Sequence, residues 1–134
     1  MMVVLDASAA MEIVLEKDMS ESFRDVMKQA DLVVAPDIYP SEITNVFWKY
    51  GCHGNFPMEK CGEGIDYCIN LVDDYISTRA MCREALAEAL RHKHPAYDLF
   101  YLILARRNNA LLLTRDKKLI RIAKELNVKV PANG

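Results

Sequence analysis

Four acidic residues, Asp6, Glu42, Asp98 and Asp116, stand where the sequence ends a strand or begins a helix. Asp6 closes the apolar run Val3-Val4-Leu5, and Asp116 follows Leu111-Leu112-Leu113-Thr114. Glu42 falls in the first turn of a helix in Tyr39-Pro40-Ser41-Glu42-Ile43, and Asp98 comes just after Pro95, which starts another. Taken singly, each reads best as a cap, since an acid in the first turn complements the helix macrodipole by roughly 0.3–1 kcal/mol. Asp98 resists that reading most, because its helix is apolar on every face and an unpaired buried charge is costly. Taken together the acids mean something else. Two carboxylates about 4 Å apart repel by roughly 4 kcal/mol at an effective dielectric of 20. A converged set of four must hold protons or collect a cation. Oxygen ligands without cysteine or histidine suit Mg²⁺ or Mn²⁺, which keep several waters and bind phosphate. Such a centre serves phosphodiester hydrolysis.

The elements that must position these acids alternate between short strands and helices. Val3-Val4-Leu5, Leu32-Val33-Val34-Ala35, Leu111-Leu112-Leu113-Thr114 and Val128-Lys129-Val130 read as strands. Helices are expected over Ala7–Lys17, Ser20–Ala30 with Ser20 as N-cap, and Tyr39–Tyr50, ended by Gly51 and Gly54. Further helices are expected over Pro57–Ile76, Thr78–His92, from Pro95 through Ala105, and Asp116–Leu126, before a frayed end from Pro131 to Gly134. In Pro57–Ile76 the residues Gly62 and Gly64 weaken the first half. In Thr78–His92 the apolar residues at 81, 82, 85, 86, 89 and 90 form a stripe two residues wide. The alternation predicts an α/β fold with a short, mainly parallel central sheet between helical layers, as one domain over residues 1–134. Ligands of such sheets bind beyond the carboxyl ends of the strands, where the acids lie.

The motifs resemble those of the PIN-domain ribonucleases, the toxins of the VapC type. Val4-Leu5-Asp6-Ala7-Ser8-Ala9 is similar to that family's opening strand and first acid, and Pro36 through Lys49, with Glu42, Asn45 and Trp48-Lys49, to its second acidic motif. Tyr97-Asp98-Leu99-Phe100-Tyr101-Leu102-Ile103-Leu104-Ala105 resembles the third and Leu112-Leu113-Thr114-Arg115-Asp116 the fourth. Each motif is weak alone, but the four in order span nearly the whole chain. Pro40 and the bulky Phe100 depart from the pattern without removing an acid. The resemblance implies a three-layer α/β/α PIN-like fold and a Mg²⁺- or Mn²⁺-dependent endoribonuclease of single-stranded RNA, the toxin of a toxin–antitoxin pair. It carries over Asp6, Glu42, Asp98 and Asp116 as catalytic and metal-binding residues, with Ser8, Asn45 and Thr114 supporting them. The helix spacing agrees: Glu42, Asn45 and Lys49 fall at i, i+3 and i+7 on one polar stripe.

Composition bounds the rest. The chain has 134 residues, 51% of them hydrophobic, and a net charge of -2, so RNA must be held by a local patch or through a cation. Arg115 and Lys117, with Lys118 and Arg121, form the nearest such patch, equally readable as a solvated helix face. Four cysteines without a C-x-x-C pair, no signal-like N-terminus and no apolar run of membrane length predict a reduced, cytoplasmic protein. Cys61 and Cys68 share a helical stripe with Ile65 and Val72 and read as core. His92 and His94 read as the end of a helix, and His53 as exposed. Apolar residues of the first two helices and of Pro57–Ile76 exceed what a small core needs, which predicts a homodimer face or an antitoxin groove. A phosphoacceptor receiver needs a pair of acids after the first strand, and a haloacid-dehalogenase phosphatase needs a second aspartate at position 8. Ala7 and Ser8 stand in those places, which speaks against both and leaves a receiver-type signalling domain as the less favoured alternative. A PIN-like module that only binds RNA or protein stays open.

Overall fold

A computed structural model describes residues 1–132. Four parallel strands form its sheet: β1 (Met2–Leu5), β2 (Leu32–Pro36), β3 (Asp74–Ile76) and β4 (Leu111–Leu113), in the order β3-β2-β1-β4. The register pairs Leu5 with Leu113 and Pro36 with Ile76, so all four carboxyl ends open toward the same edge. Among the described residues seven α-helices cover the sheet in a three-layer α/β/α arrangement. They are α1 (Ala7–Val14), α2 (Ser20–Gln29), α3 (Tyr39–His53), α4 (Met58–Asn70), α5 (Cys82–His92), α6 (Ala96–Asn108) and α7 (Lys117–Glu125). α1 packs against α2, α3 and α4, whereas α6 lies on β1, β2 and β4 and is flanked by α5 and α7.

The central helix α6 buries Leu99, Tyr101, Leu102, Ile103, Leu104 and Ala105, as its all-round apolarity predicts. Each large side chain withdrawn from water there contributes roughly 1.5–3 kcal/mol, so the element carrying Asp98 is rigid. Its end is marked by Asn109 at φ 52, a left-handed cap that asparagine tolerates better than most residues.

Several expectations need correction. Pro57–Ile76 is not one helix: α4 stops at Asn70, and Asp74–Ile76 is the edge strand β3. A tertiary bond makes the break, because the Asp73 carboxylate accepts from the Val33 N–H at 2.8 Å and aligns the following residues with β2. Residues 79–81 form a single 3₁₀ turn before α5 rather than its first turn. The stripe on α5 is only half used: Ala85, Glu88 and Ala89 face inward, while Leu86 and Leu90 are exposed. Arg106 of α6 bonds both Glu88 and Glu84, so an ion pair occupies part of the seam where apolar contact was expected. Met19, not Ser20, precedes α2, and it makes no side-chain cap. α3 continues through Gly51 to His53, and Gly54 caps it. Val128-Lys129-Val130 contributes one parallel bridge, Leu111 to Lys129, instead of a strand. Asn133 and Gly134 of the expected frayed end lie outside the described residues.

The glycines of α4 differ in kind. A Cβ on Gly64 would land inside the Phe47 ring, whereas one on Gly62 would meet open space. Gly64 is what lets α4 close on α3. Gly64→Ala is therefore expected to destabilise by about 1–3 kcal/mol through overpacking. Gly62→Ala is expected to stabilise by about 0.5–1 kcal/mol. Urea denaturation of the two variants checks the pair, and equal shifts of one sign would refute it.

Candidate active site

A cavity of about 650 Å³ opens beyond the carboxyl ends of β1 and β4, and Asp6, Glu42, Asp98 and Asp116 all line it. The sequence order of the acids, spread over 110 positions, is folded into one wall. Asp6 ends β1 and caps α1, accepting from the Ala9 N–H at 2.9 Å and the Ser8 hydroxyl at 2.7 Å. The Thr114 hydroxyl donates to its other oxygen. Ser8 Oγ in turn accepts from the Arg115 N–H at 2.9 Å, and Thr114 Oγ1 from the Asp116 N–H at 3.1 Å. Ser8 and Thr114 thus fix the first acid and tie the loop after β4 to the start of α1.

Asp6 is 4% exposed, and burial pushes its carboxyl up to about 6, against the pull of Thr114, Ser8 and Ala9. Glu42 is raised by burial, with the charges of Asp98 and Asp6 adding to it, although the Tyr101 hydroxyl donates to its Oε1 and favours the anion. Asp98 is raised first by burial and next by the adjacent Asp116, with His94 opposing. Asp116 caps α7, its Oδ1 accepting from the N–H groups of Lys118 and Leu119 at 2.9 and 3.4 Å. Asp116 is thus both a helix cap and a member of the acid cluster.

Among the described residues no lysine or arginine nitrogen comes within 4.0 Å of any of these four carboxylates. Negative charge is crowded and left uncompensated. The tightest set is Asp98, Asp116 and His94, which present ligand atoms within 4.8 Å of one another. Asp6 and Glu42 face the same cavity but stand back from that group, held by Thr114, Ser8 and Tyr101. Four carboxylates on one cavity, two of them grouped with an imidazole and none met by a lysine or arginine among the described residues, are a donor set that fits a divalent metal ion.

Asn45 and Lys49 line the cavity beside Glu42, on the stripe their spacing predicts, and Asn45 makes no hydrogen bond to an acid among the described residues. Arg115 is partly committed elsewhere: its Nε donates to Glu12 at 3.1 Å, and the buried Glu12 also accepts from the Met19 N–H. Lys117 borders a second cleft and a solvent-open cavity that Asp98 and Asp116 also line. Two residues escaped the sequence reading. Tyr101 looked like core, and its hydroxyl reaches Glu42 only because α3 and α6 converge. His94 looked like a helix end, although its i, i+4 relation to Asp98 across a helix start was a readable signal.

Against known proteins, the PIN domain family profile matches residues 3–125. The chain belongs to the PIN domain family. Ribonuclease VapC3 of Pyrobaculum aerophilum is 26% identical over 121 residues, covering 89% of this chain and 92% of that protein. The crystal structure of PAE2754 from the same organism superposes with a TM-score of 0.73 at 18% identity, over 91% of this chain and 87% of the other. VapBC2 from Rickettsia felis, bound to a DNA fragment from their promoter, gives 0.67 at 18% identity over 98% of each chain.

Proposed function

We propose that this protein is a metal-dependent endoribonuclease acting on single-stranded RNA, the toxin of a toxin–antitoxin pair. The observation that carries the reading is the cavity lined by four carboxylates, none of which a lysine or arginine nitrogen approaches within 4.0 Å among the described residues. Its kinship to a protein named as a ribonuclease, and the fold it shares with VapBC2, support the same class. Asp6, Glu42, Asp98 and Asp116 would hold Mg²⁺ or Mn²⁺, which when bound supplies an activated water and offsets charge on the phosphate. Ser8 and Thr114 keep Asp6 aimed and excluded from bulk water, and Tyr101 keeps Glu42 in place. Asn45 and Lys49 are positioned to contact the sugar–phosphate chain along the cavity wall.

Beside the acid cavity, across Thr114 and Arg115, runs a cleft of about 390 Å³ with Lys117, Arg121 and Lys124 on one side and Phe23 and Ile120 at its floor. Cations over an apolar floor suit phosphates and a stacked base, so we assign this cleft to nucleotides flanking the scissile bond. RNA reaching the acids would then be held by Arg115 and Lys117 at the boundary.

The apolar surplus of α1 goes to the core: Ala9, Ala10, Met11 and Ile13 are buried. What stays open is a cleft of about 270 Å³ between the end of α1 and α4, lined by Val14, Leu15, Phe47, Phe56 and Tyr67. That cleft supports the docking of a short antitoxin segment, and the exposed Trp48, Leu86 and Leu90 supply apolar surface for a homodimer. Among the described residues no helix is long and apolar enough to cross a membrane. All four cysteines are free, in keeping with a cytoplasmic place of work.

The experiment is cleavage of a labelled single-stranded RNA by purified protein. Cutting is expected with Mg²⁺ or Mn²⁺ and is expected to stop with EDTA. Activity that survives EDTA removes the metal mechanism, and RNA binding without cutting at any metal concentration leaves a binding module instead.

A further inference from the structure

His94 sits in the three-residue link between α5 and α6, and the link is held at both ends. Lys93 takes φ 52 as the cap of α5, the His94 N–H donates to the Ala89 carbonyl at 3.0 Å, and Pro95 fixes the chain that follows. The imidazole is therefore presented by backbone and not by a flexible tip. Its side chain is only 7% exposed, and Nδ1 lies 3.1 Å from the Pro95 carbonyl oxygen. A carbonyl only accepts, so Nδ1 carries a hydrogen, and in the neutral tautomer that this selects the Nε2 lone pair points the other way. There Nε2 meets Oδ2 of Asp98 at 3.6 Å and Oδ2 of Asp116 at 3.7 Å, and it makes no hydrogen bond among the described residues.

Those separations are informative. Charge-assisted hydrogen bonds from an imidazolium to two carboxylates would close to about 2.7–2.9 Å. Two ligands of a shared ion at about 2.1 Å lie roughly 3.0–4.2 Å apart, depending on their angle. The observed gap has the second size. The Nδ1–H bond to a backbone carbonyl is also the outer-shell partner that metal-bound histidines keep. Access exists, because His94, Asp98 and Asp116 also border a solvent-open cavity of about 550 Å³.

We propose that His94 is a metal ligand, completing with Asp98 and Asp116 a nitrogen-containing subsite for a transition-metal divalent ion such as Mn²⁺. The proposal rests on the reading of the acid cavity as a metal centre and narrows which ion it selects. Imidazole adds little for Mg²⁺, which prefers oxygen, and more for ions later in the first-row series. The site is thereby biased toward the transition metal when both are present.

The test needs no RNA. Mn²⁺ alone is added to metal-free protein, and its binding is followed by electron paramagnetic resonance with electron spin-echo detection of nitrogen coupling. The parent is expected to bind Mn²⁺ with a nitrogen signal, which His94→Asn abolishes while weakening Mn²⁺ by about tenfold and Mg²⁺ by much less. Asp116→Asn, which keeps a good helix cap, should also separate the ion from the imidazole and reduce the nitrogen signal if His94→Asn fails to fold. Bound Mn²⁺ without nitrogen coupling, or coupling that persists in His94→Asn, overturns the proposal and leaves the metal centre intact. Tighter binding of both ions by His94→Asn also overturns it, because that is the effect of removing an imidazolium charge. No Mn²⁺ binding by the parent overturns the metal centre itself.

Discussion

Asp98→Asn protein is expected to lose RNA cleavage by at least roughly a hundredfold while its metal-free form melts no lower than the parent. The two effects have one cause. Asp98 is the acid whose charge is felt at both Asp6 and Glu42, and it lies against Asp116. Asparagine keeps the shape and removes the charge, so the fold loses repulsion and the site loses a proposed cation ligand. Added Mg²⁺ separates this from a simple packing effect. A ligand bound only by the folded state, at a hundred times its Kd, stabilises by about 2.7 kcal/mol. The parent should show such a gain, and Asp98→Asn much less of it. The measurement is thermal melting of both proteins with and without Mg²⁺, alongside the cleavage assay. Parental cleavage by Asp98→Asn would remove that residue from the site. A lower metal-free melting point would mean that its charge supports the fold.

The second large effect is on pH. Asp6 holds its proton to about pH 6 in the folded protein, against an ordinary 3.8. The folded state binds that proton more tightly than the unfolded state does. Its stabilising contribution is complete below about 3.8 and is lost as the pH rises through about 6. Two units correspond to something on the order of 3 kcal/mol, and Glu42 and Asp98, raised as well, act in the same direction. Glu84, lowered by its bond from Arg106, has the opposite sign: its contribution is present above its ordinary 4.5 and lost as the pH falls below it. The window above about 4.5 therefore belongs to the site acids. Metal-free protein should melt lower at pH 7.5 than at pH 5, by roughly 5–10 °C. Mg²⁺ should raise the melting point far more at the higher pH, because protons compete for its ligands. Calorimetry in EDTA and in Mg²⁺ across this range decides it. A flat metal-free profile would show that the acids do not share a buried, uncompensated environment.

Much of this was legible before any coordinates, for a physical reason. Strand-end acids and the apolar runs before them are local patterns, and the parallel sheet converts them into one wall without further instruction. Asp6, Asp98 and Asp116 are placed by the strand or helix that carries them, so their convergence followed from fold class. Residues 71–76 were not legible, because Leu71-Val72 continues the apolar spacing of α4 and the break comes from Asp73 bonding a strand forty positions away. The exposure of Leu86 and Leu90 was hidden similarly: α5 meets α6 through Glu84, Glu88 and Arg106, an ion pair that apolar periodicity cannot reveal. Tyr101 and His94 were missed because each acts on a residue of another element, Glu42 and Asp116 respectively.

The bond from Thr114 to Asp6 joins residues 108 positions apart, and Asp116 completes the wall. During synthesis the first acid therefore waits for its hydroxyl partner until 108 further residues have been added. A nascent chain that lacks β4 holds no assembled centre, and the wall of acids is complete only when β4 has docked against β1.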